Sequence, residues 1–347
     1  MLFFYNLHKI GNMRVAIIFI FFIILFSCGS REKCVFRYYE GPVQGTYFHI
    51  TYEWNEDLSE EIDSLLQNFN RSLSNYDSTS VISLINYNKS DETNELFLKM
   101  FEASKDVYQK SEGAFDISIA PIVNLWGFGW VKNLEGFIPD SVEIAYALQF
   151  VGMDKFIIEN GKIIKQFPES MLISNAIAQG LSVDYISDYL FDLGLKNFLV
   201  EIGGEIYCLG VNNQKRSWRI GIDKPIEDSD LNNRENQIII NISGKAIATS
   251  GNYRKYIENN NHKFGHSVDP RTGYPAENSL LSVSVISESC MYCDAWATAF
   301  MVCGLEKSIE IAENDPDIEA YFIYEDKNGK TQSRMTSGFN KYVCENY

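Results

Sequence analysis

The residue types best suited to chemistry gather in the second half of the chain. His266-Ser-Val-Asp269-Pro270-Arg271-Thr272-Gly273-Tyr274-Pro275 places an imidazole, a carboxylate and a guanidinium on a stretch that Pro and Gly force into turns. Such a loop suits acid–base work beside an anion. It also reads as a rigid corner held by internal ion pairs. Asp294 and Thr298 lie four residues apart on a predicted helix and share one face. A carboxylate and a hydroxyl so placed suit a hard cation such as Mg²⁺, which takes oxygen ligands and keeps waters or ligand phosphates. The structural alternative is a helix N-cap by Asp294 with a buried Thr298. Thr249-Ser250-Gly251 offers small residues through which backbone N–H groups approach phosphate oxygens, or an ordinary turn. Glu112-Gly-Ala-Phe-Asp116, followed by Ala120 to Gly129, mixes aromatics, glycines and a carboxylate as a flat ring requires, or as a core-facing segment does. Val200-Glu-Ile-Gly-Gly-Glu205 ends a strand in two glycines, which marks a bulge or a close backbone approach.

Composition narrows what these residues can serve. The 347 residues carry 30 Lys and Arg against 46 Asp and Glu, a net charge of −16. That balance excludes nucleic acid as a partner, since its binding rests on cations neutralising phosphates. Any anionic ligand therefore needs local help from a metal or a few placed basic groups. An apolar content of 46% excludes intrinsic disorder.

The N-terminus reads as an address. Val15 to Phe26 is an unbroken apolar run of 12 residues. As a helix it spans about 18 Å, short of the roughly 30 Å hydrocarbon core. Lys9 and Arg14 precede it, and Leu25-Phe26-Ser27-Cys28 resembles a bacterial lipobox. Residues 1–27 are thus read as a lipoprotein signal with Cys28 lipidated, 28–40 as a tether and 41–347 as one domain. A single membrane anchor is the alternative. The body is placed in the cell envelope, lipid-anchored on the periplasmic face. That compartment permits disulfides among Cys34, Cys208, Cys290, Cys293, Cys303 and Cys344, but structural or bystander thiols are the favoured reading. Cys290-Met-Tyr-Cys293 has redox spacing without the βαβ context of a redox motif.

The elements that must position these groups follow from periodicity. Thr46 to Tyr52, Asn197 to Ile202, Glu205 to Val211, Trp218 to Ile222, Ile238 to Ile242, Leu280 to Ser287 and Ala320 to Tyr324 predict strands. Phe156 to Ile164 predicts a hairpin about Asn160-Gly161. Leu58 to Phe69, Leu96 to Tyr108, Ala176 to Leu193 and Cys293 to Cys303 predict helices, the last two closed by Gly194 and Gly304. Asp223 to Gln237 reads as a polar loop. Helices and strands do not alternate regularly, which predicts an α+β fold of largely antiparallel sheets with packed helices.

Taken in order, the segments resemble the FAD:protein FMN transferases, the ApbE-type flavin transferases of bacterial envelopes. The likeness runs from Gly45 to Gly304. It rests on Gly45-Thr46-Tyr47, Leu73 to Tyr76 with Ser80 to Asn86, Gly113 to Asp116 with Pro121 to Gly129, and Ala176 to Gly180 with Asp184. It continues through Val200 to Gly204, Thr249 to Gly251, His266 to Pro275 and Asp294 to Thr298. The resemblance implies that a Ser or Thr hydroxyl of a target protein attacks the FMN-side phosphorus of FAD, with AMP leaving. It implies Mg²⁺ or Mn²⁺ on the backbone carbonyl of Ala176 and the side chains of Asp294 and Thr298. Flavin contacts are implied for Tyr76, Ala114, Phe115, Asp116 and Val268, a catalytic role for His266, and an acceptor subunit of a membrane or exported redox complex as partner. Arg271 is expected to add positive charge beside the phosphates. The sequence departs from the family where Ile173 stands for an Asp, Gln179 for a Lys and Gln44 for a Met, and where Ala297 stands for a second metal-site carboxylate. Water as acceptor, giving FMN and AMP, and a non-catalytic FAD-binding lipoprotein are the alternative readings.

Overall fold

Alternating apolar residues build the central sheet. The computed structural model describes residues 34–131, 137–225, 235–252, 256–259 and 262–346. The signal segment and Cys28 lie outside the described residues, as does most of the polar loop after Asp223. Among the described residues no helix is long and apolar enough to cross a membrane.

The strands are β1 (Val35–Val43), β2 (Thr46–Trp54), β3 (Phe156–Glu159), β4 (Lys162–Lys165), β5 (Phe198–Ile202), β6 (Glu205–Leu209), β7 (Trp218–Asp223) and β8 (Asn236–Ile242). They continue with β9 (Lys245–Gly251), β10 (Tyr256–Asn259), β11 (His262–Gly265), β12 (Leu280–Ser287), β13 (Glu319–Glu325), β14 (Thr331–Met335) and β15 (Val343–Asn346). Eight of them form one sheet in the order β1-β2-β5-β6-β9-β12-β13-β14, and β15-β8-β7 form a second. Pairing from β2 through β14 is antiparallel throughout.

The large sheet is covered on both faces, and period-two alternation sorts its residues. On one face Phe48, Ile50, Val200, Ile202, Ala248, Val283 and Phe322 join the main core beneath the helices. On the other, Ile247, Ile286, Tyr321 and Ile323 meet Trp218, Ile220, Ile238 and Ile240 of the small sheet. The helices are α1 (Ser59–Leu73), α2 (Val81–Asn86), α3 (Glu95–Lys110), α4 (Ala120–Leu125), α5 (Ser141–Leu148), α6 (Ala178–Asp192), α7 (Cys290–Cys303) and α8 (Leu305–Asn314). Helix α7 buries eleven of its residues, Asp294 included, so it is apolar nearly all round, as a fully packed helix must be. A third cluster joins Ile119, Ile122, Trp126 and Ile144 to Ile173 and Val268.

The α+β expectation holds. Strand β1 occupies residues read from the sequence as tether. Its side chains explain the difference: Phe36 packs on the small-sheet core and Tyr39 lies 5.2 Å from the Phe48 ring, while Arg37 and Glu40 give the edge a polar look. Helix α7 starts three residues before the expected Cys293, capped by Ser289, whose Oγ accepts the Tyr292 N–H. The six described cysteines are all free. Burial pushes the Cys293 thiol up to about 12, which keeps it protonated and inert.

Candidate active site

A cleft of about 1170 Å³ opens along the helix-side edge of the large sheet. Its floor is the corner where α6 meets α7, and reciprocal helix capping builds that corner. Asp184 of α6 accepts the N–H groups of Cys290 (2.8 Å) and Met291 (3.0 Å) and the Ser289 hydroxyl (2.6 Å), which caps the start of α7. In return, Asp294 Oδ2 accepts the Gly180 N–H at 3.1 Å in the first turn of α6. That N–H is one of the orphan donors of the first turn, whose opening ladder bond runs from Leu181 to the Ile177 carbonyl. Ala176 precedes the helix and lines the cleft. The crossing is close enough to require glycine: a Cβ on Gly180 would collide with the Cys290 carbonyl and lie 2.8 Å from Asp294 Cβ.

Thr298, one turn on from Asp294, brings its hydroxyl to 3.3 Å from that of Ser250 on β9. Asp294 is thus no N-cap of its own helix; it faces the cleft with Thr298 and Ser250. Burial pushes its carboxyl up to about 7 against the opposing effect of the Gly180 N–H. Among the described residues no three His, Cys, Asp or Glu side chains cluster for a metal. The donors present are hard oxygens: a buried carboxylate and two hydroxyls, with the backbone of Ala176 alongside. They fit Mg²⁺ or Mn²⁺, which leave part of their shell to water and ligand phosphates.

The opposite wall is apolar. Ala114, Phe115, Asp116, Phe128 and Val268 line it. Asp116 is buried, its Oδ1 accepts the Ser118 N–H at 2.7 Å, and burial pushes it up to about 6. Ile173 belongs to the same apolar cluster as Trp126 and Val268 and lines the cleft together with Val268. Tyr76, 68% exposed, stands at the mouth and its hydroxyl accepts from Asn175 Nδ2 at 3.3 Å. The segment carrying Ile173 to Ala176 is stapled from behind. Asn75 and Asn86 both donate to the Leu172 carbonyl, and they accept the Ser174 and Leu172 N–H groups respectively. Gln179 sits over the Gly203 turn, where a Cβ would lie 2.5 Å from its Nε2.

His266 enters the cleft edge-on to Phe128, ring centroids 6.5 Å apart. Its loop closes on itself through the Val268–Pro275 bridge and is pinned by Trp126 Nε1, which donates to the Gly273 carbonyl at 2.8 Å. Arg271 does not line the cleft. Its guanidinium is committed to Asp269, with Nε and Nη2 each at 2.8 Å. The loop is thus a rigid corner that also lines the cleft, and the charge expected from Arg271 is spent internally.

The structure brings together His266, Val268, Tyr76, Ala114, Phe115, Asp116, Ala176, Gln179, Asp294 and Thr298 as lining residues. Sequence reasoning missed two groups that share the cleft. Glu205, just after the glycine pair, is buried and lines the cleft with Asp294 and Thr298. His49 Nδ1 pairs with Glu201 Oε2 on the outer wall, and Glu201 Oε1 accepts the Gly204 N–H at 2.8 Å, holding the glycine turn. The double glycine was the only sequence signal for either.

The ApbE family matches residues 44–322 of the chain. The chain is 35% identical over 299 residues to an FAD:protein FMN transferase of Vibrio cholerae, covering 84% of this chain and 88% of the relative. It is 32% identical over 332 residues to that of Haemophilus influenzae, covering 91% and 94%. The flavin transferase ApbE structure from Vibrio cholerae matches with a TM-score of 0.80 at 32% identity, over 89% of this chain and 99% of that one. The apo flavinyl transferase ApbE of Pseudomonas stutzeri matches with a TM-score of 0.80 at 28% identity, over 92% and 100%. With both walls of the cleft inside the matched span, the chain belongs to the ApbE family.

Proposed function

We propose that this protein transfers the FMN moiety of FAD to a Ser or Thr hydroxyl of a target protein. The observation that carries this reading is one cleft holding three things: an apolar wall, an imidazole at its edge, and a buried oxygen-donor corner. In the transfer, the acceptor oxygen bonds to the FMN-side phosphorus, the bond to the AMP phosphate breaks, and a nitrogen of His266 takes the hydroxyl proton. Phosphoryl transfer asks chiefly for positioning and charge neutralisation. Phe115, Phe128, Ile173 and Val268 offer a flat, dry surface for the isoalloxazine, and Asp116 and Tyr76 polar atoms at its rim. Asp294, Thr298 and the Ala176 carbonyl would hold Mg²⁺ or Mn²⁺, which would supply the positive charge that an acidic protein needs beside a diphosphate. With Arg271 turned to Asp269, that charge is not replaced by the loop.

We place the protein in the envelope, anchored through a lipid on Cys28 at the periplasmic face, with a subunit of a membrane or exported redox complex as acceptor. The apolar run before Cys28 and the lipobox-like ending support this. The test incubates the protein with FAD, Mg²⁺ and candidate acceptors and reads flavin fluorescence in a denaturing gel. His266→Ala should lower the labelling rate at least 100-fold, as loss of a general base does. Labelling at the wild-type rate by that variant would refute the assignment. Release of FMN and AMP without any acceptor would favour hydrolysis instead.

A further inference from the structure

We propose that Glu205 is a second carboxylate of the cation corner, contributing Oε2 to the divalent ion directly or across one water. Glu205 opens β6 immediately after the Gly203-Gly204 turn. By strand alternation it shares a face with Tyr207 and Leu209, both packed on the core beneath the helices. Its residue is 7% exposed, and Oε2 is buried with no hydrogen-bond partner. It lines the cleft together with Asp294, Thr298 and Ser250. A buried carboxylate oxygen without a donor is costly, and a second carboxylate close by compounds the cost. The charged groups acting on Glu205 are Asp294 and Glu201, both acidic, and no lysine or arginine is among them. A cation between Glu205 and Asp294 would resolve this arrangement, since it satisfies the orphan oxygen and offsets the like charges together.

The inference rests on the transferase reading only through the ion held by Asp294 and Thr298. Its test is metal binding by the full chain, read as loss of the free Mn²⁺ signal in electron paramagnetic resonance, without substrate. Wild type, Glu205→Gln, Glu205→Asp and Asp294→Asn are titrated with Mn²⁺, and folding is checked by circular dichroism. Glu205→Gln should weaken Mn²⁺ binding at least tenfold and shrink the Mg²⁺-induced rise in melting temperature. Glu205→Asp, which keeps the charge on a shorter stem, should lie between wild type and Glu205→Gln, and it carries the test if the Gln variant fails to fold. Wild-type affinity in either folded Glu205 variant, with binding lost in Asp294→Asn, would overturn the inference alone. Wild-type affinity in Asp294→Asn as well would overturn both the inference and the cation corner.

Discussion

The two walls of the cleft are built by opposite means. The cation corner is made where two buried helices cross at glycine distance, each capped by a carboxylate of the other, Asp184 for α7 and Asp294 for α6. The apolar wall is made from turns and short helices, pinned by single bonds such as Trp126 to Gly273, and lined by side chains of two apolar clusters, Phe115 from the main core and Phe128, Ile173 and Val268 from the third. The corner has no slack, because its groups hold charge in a dry place and any shift strands them. The wall rests on packing, and Ile173 adds an aliphatic side chain to it. Charge chemistry in this molecule is thus locked by secondary structure, and ring recognition is left to packing.

The comparison predicts its own breaking points. Gly180→Ala should do most damage, because the added methyl meets backbone at the helix crossing. We expect a loss of about 3 kcal/mol in stability together with weakened Mn²⁺ binding and lost flavin transfer. Denaturant unfolding and Mn²⁺ titration check this; a variant as stable as wild type with its Mn²⁺ affinity intact would show that the corner has slack after all.

On the wall, Asp116 has a folded pKa of about 6 against an ordinary 3.8. The folded state therefore binds the proton more tightly than the unfolded chain, and stability falls as pH rises from about 4 to 6. Asp116→Asn removes that loss, so its stability should gain on wild type through the window, by up to about 3 kcal/mol at pH 6 and above. Parallel stability curves for the two proteins would contradict the burial of this carboxyl.

Trp126→Phe should have the smallest effect. It deletes one donor to the Gly273 carbonyl, worth about 1 kcal/mol, and loosens the loop that carries His266. A several-fold fall in transfer with unchanged Mn²⁺ affinity is expected. Loss of Mn²⁺ binding in this variant would mean that the two walls are coupled, against the division drawn above.

Local periodicity made much of this legible. Asp294 and Thr298 could be paired because a helical turn is a property of neighbouring residues, and the hairpin about Asn160-Gly161 because its turn is a two-residue signal. What escaped notice depended on contacts between distant segments. Glu205 looks like the unremarkable start of a strand until α7 is laid over it. Asn75 and Asn86 carry no local signal of their role as staples for the backbone near Leu172, 97 and 86 residues away in sequence. Arg271 was legible as a cation beside His266, but its commitment to Asp269 two residues back is a matter of rotamer. Strand β1 was hidden because edge strands carry charges that blur their alternation.

The proposed transfer depends on an ion held by the buried carboxylate of Asp294. Flavin transfer is measured against Mg²⁺ concentration for wild type and Asp294→Asn. Wild type should show a saturable Mg²⁺ requirement, abolished by chelator, and Asp294→Asn should transfer at least 100-fold more slowly. Wild-type labelling that persists in chelator, or an Asp294→Asn protein that labels its acceptor at the wild-type rate and Mg²⁺ dependence, would contradict it.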